Sequence, residues 1–406
     1  MKVAFLSHLD MNLYLFRLSW MKKLREMGFE VFALVPEGEY TGRLREEGFR
    51  VINYRIDRRS LNPLKEFRTI GELYHVFRKQ NFDILHTFTY KPNLYGTIAG
   101  RRAGVPIIIN TITGLGHVFT TGGASDKRLK KWIYTAFYRY SLNKADYIIF
   151  QNMDDLKLLS NYVSNEVKLR LMRGSGVDTV YFSPNSVDGE KVARLRKELG
   201  LTGQEKIVTM IARMYWGKGI KEYVEAANKI LGERDDVYFL VVGWRDEGNP
   251  DTIPEDFIKK HEAKKLRFLG KREEIREILY LTDVYVLPSY REGLSRTILE
   301  AMSMQKPVVT TDAPGCKDVV KDGVNGFLVP VGDSWALKKA ISNLIDDADL
   351  RRKMGEAGRR RAVKEFSVDV ILGDLGRLYD ECRKRLLGNL REANITYEWS
   401  KTDAFE

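Results

Sequence analysis

Two carboxylates eight residues apart, Glu292 and Glu300, bracket the run Gly293-Leu294-Ser295, with Pro288-Ser289-Tyr290-Arg291 just upstream. A strand-like run precedes this segment and a helical pattern follows it. If most of the interval is helical, at ~1.5 Å per residue the two carboxylates stand roughly 10 to 12 Å apart along the axis. That is about the reach from the sugar to the ribose of a nucleotide-diphospho-sugar. The helix start between them offers free N–H groups and a positive dipole end to a diphosphate, and Gly293 has no side chain to block close approach.

A second constellation, Ala212-Arg213-Met214-Tyr215-Trp216-Gly217-Lys218-Gly219, also follows a strand-like run and opens a helix. Arg213 and Lys218 are spaced to reach one diphosphate. As a sugar departs, negative charge grows on the β-phosphate, and one well-placed donor aimed there lowers the barrier by about 3 to 4 kcal/mol. Two fixed cations make a divalent metal unnecessary, and none is expected. The D-x-D pattern Asp347-Ala348-Asp349 lies in a polar link between helical stretches rather than after a strand, and is read as structural. Each charge taken singly also reads as a helix-terminal charge or a surface ion pair. Their joint placement, after strands and before helices in one half-chain, favours the functional reading.

The elements that must position these residues alternate from the first residue onward. Strands are predicted at 3–6, 30–35, 51–54, 83–86, 107–110, 147–150 and 168–171, and helices at 14–27, 64–79, 93–103 and 127–142. A Gly/Ser/Asp/Pro-rich stretch at 174–186 suits a link between domains. The pattern then restarts, with strands at 207–211, 237–242, 266–269, 283–287, 307–310 and 327–329 and a helix at 368–387. This is an α/β chain of two doubly wound, Rossmann-like domains facing across a cleft, where ligands sit beyond the carboxyl ends of the strands. With 406 residues, 44% of them hydrophobic, collagen-like, disordered and coiled-coil classes drop out. Two distant cysteines, Cys316 and Cys382, exclude a disulfide framework and a thiolate zinc site, which suits a cytoplasmic location. Gly114-Leu115-Gly116 lacks the third glycine and the acidic partner of a dinucleotide fingerprint. His8 and His86 follow strands and are candidates to face the cleft, one of them with a structural role, but they lack metal-ligand spacing.

On E-x7-E (Glu292 to Glu300) and R-x4-K-G (Arg213 to Gly219), the chain resembles the retaining glycosyltransferases of family 4, which have the GT-B fold. Phe5-Leu6-Ser7-His8, Phe16-Arg17, Ser60-Leu61-Asn62-Pro63, Met210-Ile211-Ala212-Arg213 and Arg245-Asp246-Glu247 narrow the resemblance. They resemble the branch that adds N-acetylgalactosamine to undecaprenyl-diphospho-N,N'-diacetylbacillosamine. It implies an acceptor-binding domain over residues 1–182 and a nucleotide-sugar domain over 183–387, whose last helix is a candidate to cross back. Residues 388–406 form a polar tail. The resemblance implies that Glu292 contacts donor hydroxyls, Glu300 the ribose, and Arg213 with Lys218 the diphosphate. Gly293, Leu294 and Ser295 join the donor site, and the strand end carrying Gly270 and Arg272 meets the uracil. Thr113 stands where many members carry a histidine, with His117 four residues on as a catalytic candidate. Asp10-Met11-Asn12 replaces the glycine pair usual after the first strand. A UDP-sugar is then a substrate, and no cofactor is expected.

The basic excess is uneven: residues 1–180 hold 28 Lys and Arg against 17 Asp and Glu, whereas 181–406 hold 39 against 38. The N-terminal half is therefore expected to meet an anionic partner. His8, Arg17, Arg58, Arg59, Lys91, Asn93 and Thr113 are the acceptor-site candidates for a polyprenyl-diphosphate-linked sugar. The span 127–140 interleaves Lys and Arg with Trp and Tyr, which suits the inner face of an anionic membrane. Nucleic acid, the rival partner, lacks any recognisable binding pattern here. Rival functions are a transferase with another sugar or acceptor, a GT-B UDP-sugar epimerase, and a non-enzymatic basic binding protein.

Overall fold

The computed structural model describes residues 1–57, 62–114, 136, 139–163, 168–246, 248–249 and 251–388. The first domain runs β1 (Lys2–Ser7), α1 (Asp10–Glu26), β2 (Glu30–Val35), α2 (Thr41–Glu46), β3 (Arg50–Asn53), α3 (Pro63–Gln80), β4 (Ile84–Phe88) and α4 (Tyr90–Ala103). It continues with β5 (Ile107–Ile112), β6 (Tyr147–Phe150), α5 (Met153–Ser160) and β7 (Leu169–Leu171). Its sheet has the order β3-β2-β1-β4-β5-β6-β7, with every pair parallel. Both faces are covered, so strands such as Val3 to Leu6 are fully buried, as parallel sheets require.

The second domain contains α6 (Gly189–Leu199), β8 (Lys206–Ile211), α7 (Ile220–Leu231), β9 (Val237–Val242), α8 (Glu255–His261), β10 (Leu266–Gly270) and α9 (Ile275–Leu281). There follow β11 (Val284–Leu287), α10 (Arg296–Ser303), β12 (Val308–Thr311), β13 (Gly326–Val329), α11 (Ser334–Asp346), α12 (Ala348–Phe366) and α13 (Val368–Leu386). Its sheet order is β10-β9-β8-β11-β12-β13, again parallel. The order reverses between β1 and β4 in one sheet and between β8 and β11 in the other, and such switch points open ligand crevices.

The last helix lies on the first domain. Ile371, Leu375, Leu378, Tyr379 and Cys382 recur at helical spacing and are buried with Phe5, Trp20, Phe88 and Ile109 of the N-terminal core. At roughly 1.5–3 kcal/mol per fully buried large apolar side chain, this stripe is a substantial part of that core. The chain thus crosses between domains twice, and the crossings are bonded side by side: Val177 N donates to Phe366 O (2.9 Å) and Val368 N to Val177 O (3.0 Å).

Three expectations change. The first helix begins at Asp10, directly off β1, rather than at residue 14, and α4 begins at Tyr90 rather than at residue 93. Only Arg296 onward is helical between the two glutamates, because Ser295 caps that helix through its hydroxyl, so the axial spacing assumed above does not apply. His86 lies inside β4, fully buried between the Tyr379 hydroxyl (2.9 Å) and the Thr111 hydroxyl (2.7 Å), and serves the core rather than the cleft. Among the described residues no helix is long and apolar enough to cross a membrane.

Candidate active site

The two constellations meet at the carboxyl ends of β8 and β11. Gly219 adopts φ +76°, and a Cβ there would stand 2.0 Å from Pro288 O, so only glycine lets the two loops touch. Gly217 O accepts hydrogen bonds from Tyr290 N (3.0 Å) and the Ser289 hydroxyl (3.1 Å), stitching the loops together. The Lys218 ammonium is consequently ion-paired with the Glu292 carboxylate, each side chain only 12% exposed. Burial pulls the Lys218 pKa down, but Glu292 and Tyr215 more than offset it, and the net shift is upward. Arg213 and Lys218 both lie near the Tyr215 ring, at 5.3 and 5.5 Å from its centroid. The Arg213 side chain is 41% exposed, with Asp246 at a distant 3.9 Å. Here a buried cation–carboxylate pair and a second, accessible cation stand together, ready for an anionic bridge and a hydroxylated neighbour.

Glu300 is buried on α10, where Arg296 Nε donates to its Oε1 at 2.9 Å. Burial raises the Glu300 pKa, with Arg296 opposing. Arg296 also donates to Leu15 O and covers the Phe16 ring at 5.3 Å, which ties the donor-side helix to α1. Leu294 packs against Gly174, where a Cβ would stand 2.8 Å from the leucine methyl. Gly270 takes φ +67° at the end of β10, while the Arg272 guanidinium is held by Glu198 and Glu274, an ordinary surface arrangement.

Gly293 sits where the two domains touch. A Cβ there would lie 2.1 Å from Thr113 O and 2.8 Å from Gln151 Oε1, so the glycine is demanded by the acceptor-side backbone as well as by any phosphate. Asn152 Nδ2 donates to Gly293 O (2.7 Å), and Arg291 pairs with the fully buried carboxylate of Asp155. Sequence reasoning passed over Tyr215, Arg291, Arg296, Asn152 and Asp155. Their signals were adjacency to Arg213, Lys218 and Glu292, and an N-x-x-D cap directly after β6.

The acceptor-side candidates divide. His8 Nδ1 is hydrogen-bonded to the Thr89 hydroxyl at the β1/β4 switch point. Thr89 holds φ +73° and ψ 169°, a region costly for a β-branched residue by about 1–3 kcal/mol. Thr113 lies at the seam beside Gly293. Lys91 is buried against Glu66 (2.7 Å) and Asp57 O (2.6 Å). Asn93 accepts from the Thr87 hydroxyl (2.7 Å) and donates to Thr111 O (3.1 Å). Both point into the fold: α4 begins three residues earlier than predicted, which brings Lys91 into the helix and leaves both residues in its first turn. Arg17 is buried between Trp20 and Phe88, 4.6 and 5.0 Å from their ring centroids, and burial followed by Arg296 lowers its pKa to about 9. Arg58, Arg59 and His117, and most of the 127–140 span, lie outside the described residues. Asp347 caps α12 by accepting from Leu350 N (2.8 Å), which accounts for the D-x-D pattern.

Residues 2–152 match the family model "Glycosyl transferase 4-like", and residues 191–361 match "Glycosyl transferases group 1". The chain is 31% identical over 386 residues to the N,N'-diacetylbacillosaminyl-diphospho-undecaprenol alpha-1,3-N-acetylgalactosaminyltransferase of Campylobacter jejuni, covering 95% of this chain and all of that one. It is 28% identical over 312 residues to the UDP-Gal:alpha-D-GlcNAc-diphosphoundecaprenol alpha-1,3-galactosyltransferase of Escherichia coli, covering 76% and 78% of the two. Among solved structures, HepE of Anabaena in complex with UDP and glucose superposes with TM-score 0.75 at 18% identity, over 94% of this chain and all of that one. Sucrose-phosphate synthase of Thermosynechococcus elongatus gives 0.78 at 22%, over 95% and 100%. Two parallel, Rossmann-like sheets, with paired cations and carboxylates at the carboxyl end of the second, and these relatives place the chain in the family 4 glycosyltransferases of GT-B fold.

Proposed function

We propose that the protein moves an N-acetylhexosamine, N-acetylgalactosamine foremost, from UDP to a sugar carried on a polyprenyl diphosphate, with retention of configuration. The observation that carries this reading is the Lys218–Glu292 pair beside the accessible guanidinium of Arg213. The two relatives named above, which act on undecaprenyl-diphosphate-linked sugars, supply the substrate class. In this reading Arg213 and Lys218 hold the diphosphate, Glu292 orients a donor hydroxyl, and Glu300 accepts from the ribose. The bond from the anomeric carbon to the β-phosphate oxygen breaks while the acceptor oxygen bonds on the same face. The acceptor proton passes to the departing phosphate. The two cations stabilise the charge that develops there, so the reading needs no divalent ion.

The acceptor's diphosphate and lipid place the enzyme at the inner face of the membrane, with the basic N-terminal half turned toward it. The test is a panel of UDP-sugars offered with a short polyprenyl diphosphate carrying one sugar, its products detected by mass, with and without chelator. Transfer of one N-acetylhexosamine, unchanged by chelator, is expected. Epimer release without acceptor, or no turnover across the panel, would overturn the reading.

A further inference from the structure

Glu292 lies on an irregular loop between β11 and α10, and a loop of that kind does not by itself fix a carboxylate. Two holds come from its own domain: Glu292 N donates to Pro314 O (2.9 Å), and its side chain meets Lys218. The residues on either side are held from the other domain. Arg291 pairs with Asp155, whose side chain is fully buried, while the Arg291 side chain is 16% exposed. Asn152 Nδ2 reaches Gly293 O at 2.7 Å and Glu292 O at 3.4 Å. Asn152 and Asp155 are locked in turn: Asp155 N donates to Asn152 Oδ1 (2.7 Å), and Asn152 Nδ2 also lies 3.1 Å from Asp155 Oδ2. The cap of α5 is therefore one rigid unit that grips the loop immediately before and after Glu292.

We propose that Asn152 and Asp155 of the N-terminal domain are positioning residues for Glu292, so that the donor-side carboxylate is set only when the acceptor-side domain is docked. This rests on the reading of Glu292 as a donor-sugar contact. A misplacement of about 1 Å costs on the order of a hundredfold in rate, and losing one side of this grip frees the loop by that scale. The cations that bind the diphosphate belong to the second domain alone, so the grip bears on the placement of Glu292 more than on nucleotide affinity.

The test compares Asp155→Asn, Arg291→Gln and the double variant with wild type, by turnover, by UDP affinity in calorimetry and by amide exchange of residues 290–295. Asp154→Asn is the control, since its pair with Lys317 (3.1 Å) crosses the same seam without touching the loop. Each single variant is expected to lose about tenfold to a hundredfold in kcat, with UDP affinity within threefold and faster loop exchange. The double variant should be no worse than either single one, and the control should stay within twofold throughout. Retained kcat in both singles, UDP affinity falling in step with kcat, or unchanged loop exchange would each overturn the proposal. Exchange and UDP binding need no turnover, so an unreactive wild type would sink the substrate reading while leaving the grip open to judgement.

Discussion

The guanidinium of Arg296 is bonded to the Glu300 carboxylate one turn along the same helix, Nε to Oε1 at 2.9 Å, while its other arm reaches the Leu15 carbonyl across the cleft. The upward pKa shift that burial imposes on the carboxylate assigned to the ribose is thus opposed by a side chain that also touches the opposite domain. Without Arg296, burial alone acts on Glu300, and its pKa rises further. Arg296→Leu is therefore expected to raise KM for the UDP-sugar and to move the acid limb of kcat/KM to higher pH, as measured in a pH–rate profile. An unmoved acid limb would refute the assignment of Glu300.

The Lys218–Glu292 pair makes a claim on both rate and stability. Arg213→Ala or Glu292→Gln is expected to lower turnover by about 100-fold or more. Glu292→Gln also leaves Lys218 a largely buried charge without its partner, and breaking such a pair is costly. Its melting temperature should fall, and adding Lys218→Met should restore part of the loss in calorimetry. Because the Lys218 pKa is raised, the stability contributed by the lysine charge does not fall off on the alkaline side until pH rises above about 10.4, the ordinary lysine value.

Gly293→Ala tests the seam. The new methyl would have to displace the Thr113 carbonyl or Gln151, pushing the domains apart at the reacting centre. Turnover is expected to drop by about a hundredfold, and UDP binding to weaken as well, because the same methyl stands where the diphosphate approaches. Wild-type kinetics in this variant would mean that the two domains do not meet there during catalysis.

Burial, with Arg17 adding to it, lowers the pKa of His86 well below the usual value, so the imidazole is neutral in the fold. Stability from this residue is present above the unfolded pKa of about 6.5 and is lost as pH falls below it. Tyr379→Phe removes a buried hydrogen bond to His86 and is expected to cost about 1 to 2 kcal/mol in denaturant unfolding. A His86→Leu variant should show a shallower acid decline than wild type. Equal declines would place the acid-sensitive group elsewhere.

The sequence made the sheets legible because parallel strands buried on both faces read as short β-branched runs, and runs such as 30–35, 147–150 and 237–242 coincide with the observed strands. Glu292, Arg213 and Lys218 were legible because each follows a strand, where open sheets put their chemistry. Helix starts were less so: Asp10 and Tyr90 begin helices within three residues of a strand end, and that shift brought Lys91 into α4. Contacts across the cleft left almost no local trace. Asp155 reads as a helix-cap neighbour until Arg291, 136 residues away, is seen beside it.

The placement of α13 has a consequence for synthesis on the ribosome. Phe5, Trp20 and Phe88 are made early, yet the Leu375 and Tyr379 side chains that roof them come nearly three hundred residues after the last of these. At roughly 5 to 20 residues per second, those three side chains wait on the order of 15 to 60 s for their cover. A nascent chain stopped after Ser367 should bind a hydrophobic dye through that bare face, and one stopped after Leu386 should not. The enzyme's first-made half is thus the last to be finished, exposed to chaperones throughout the making of its partner.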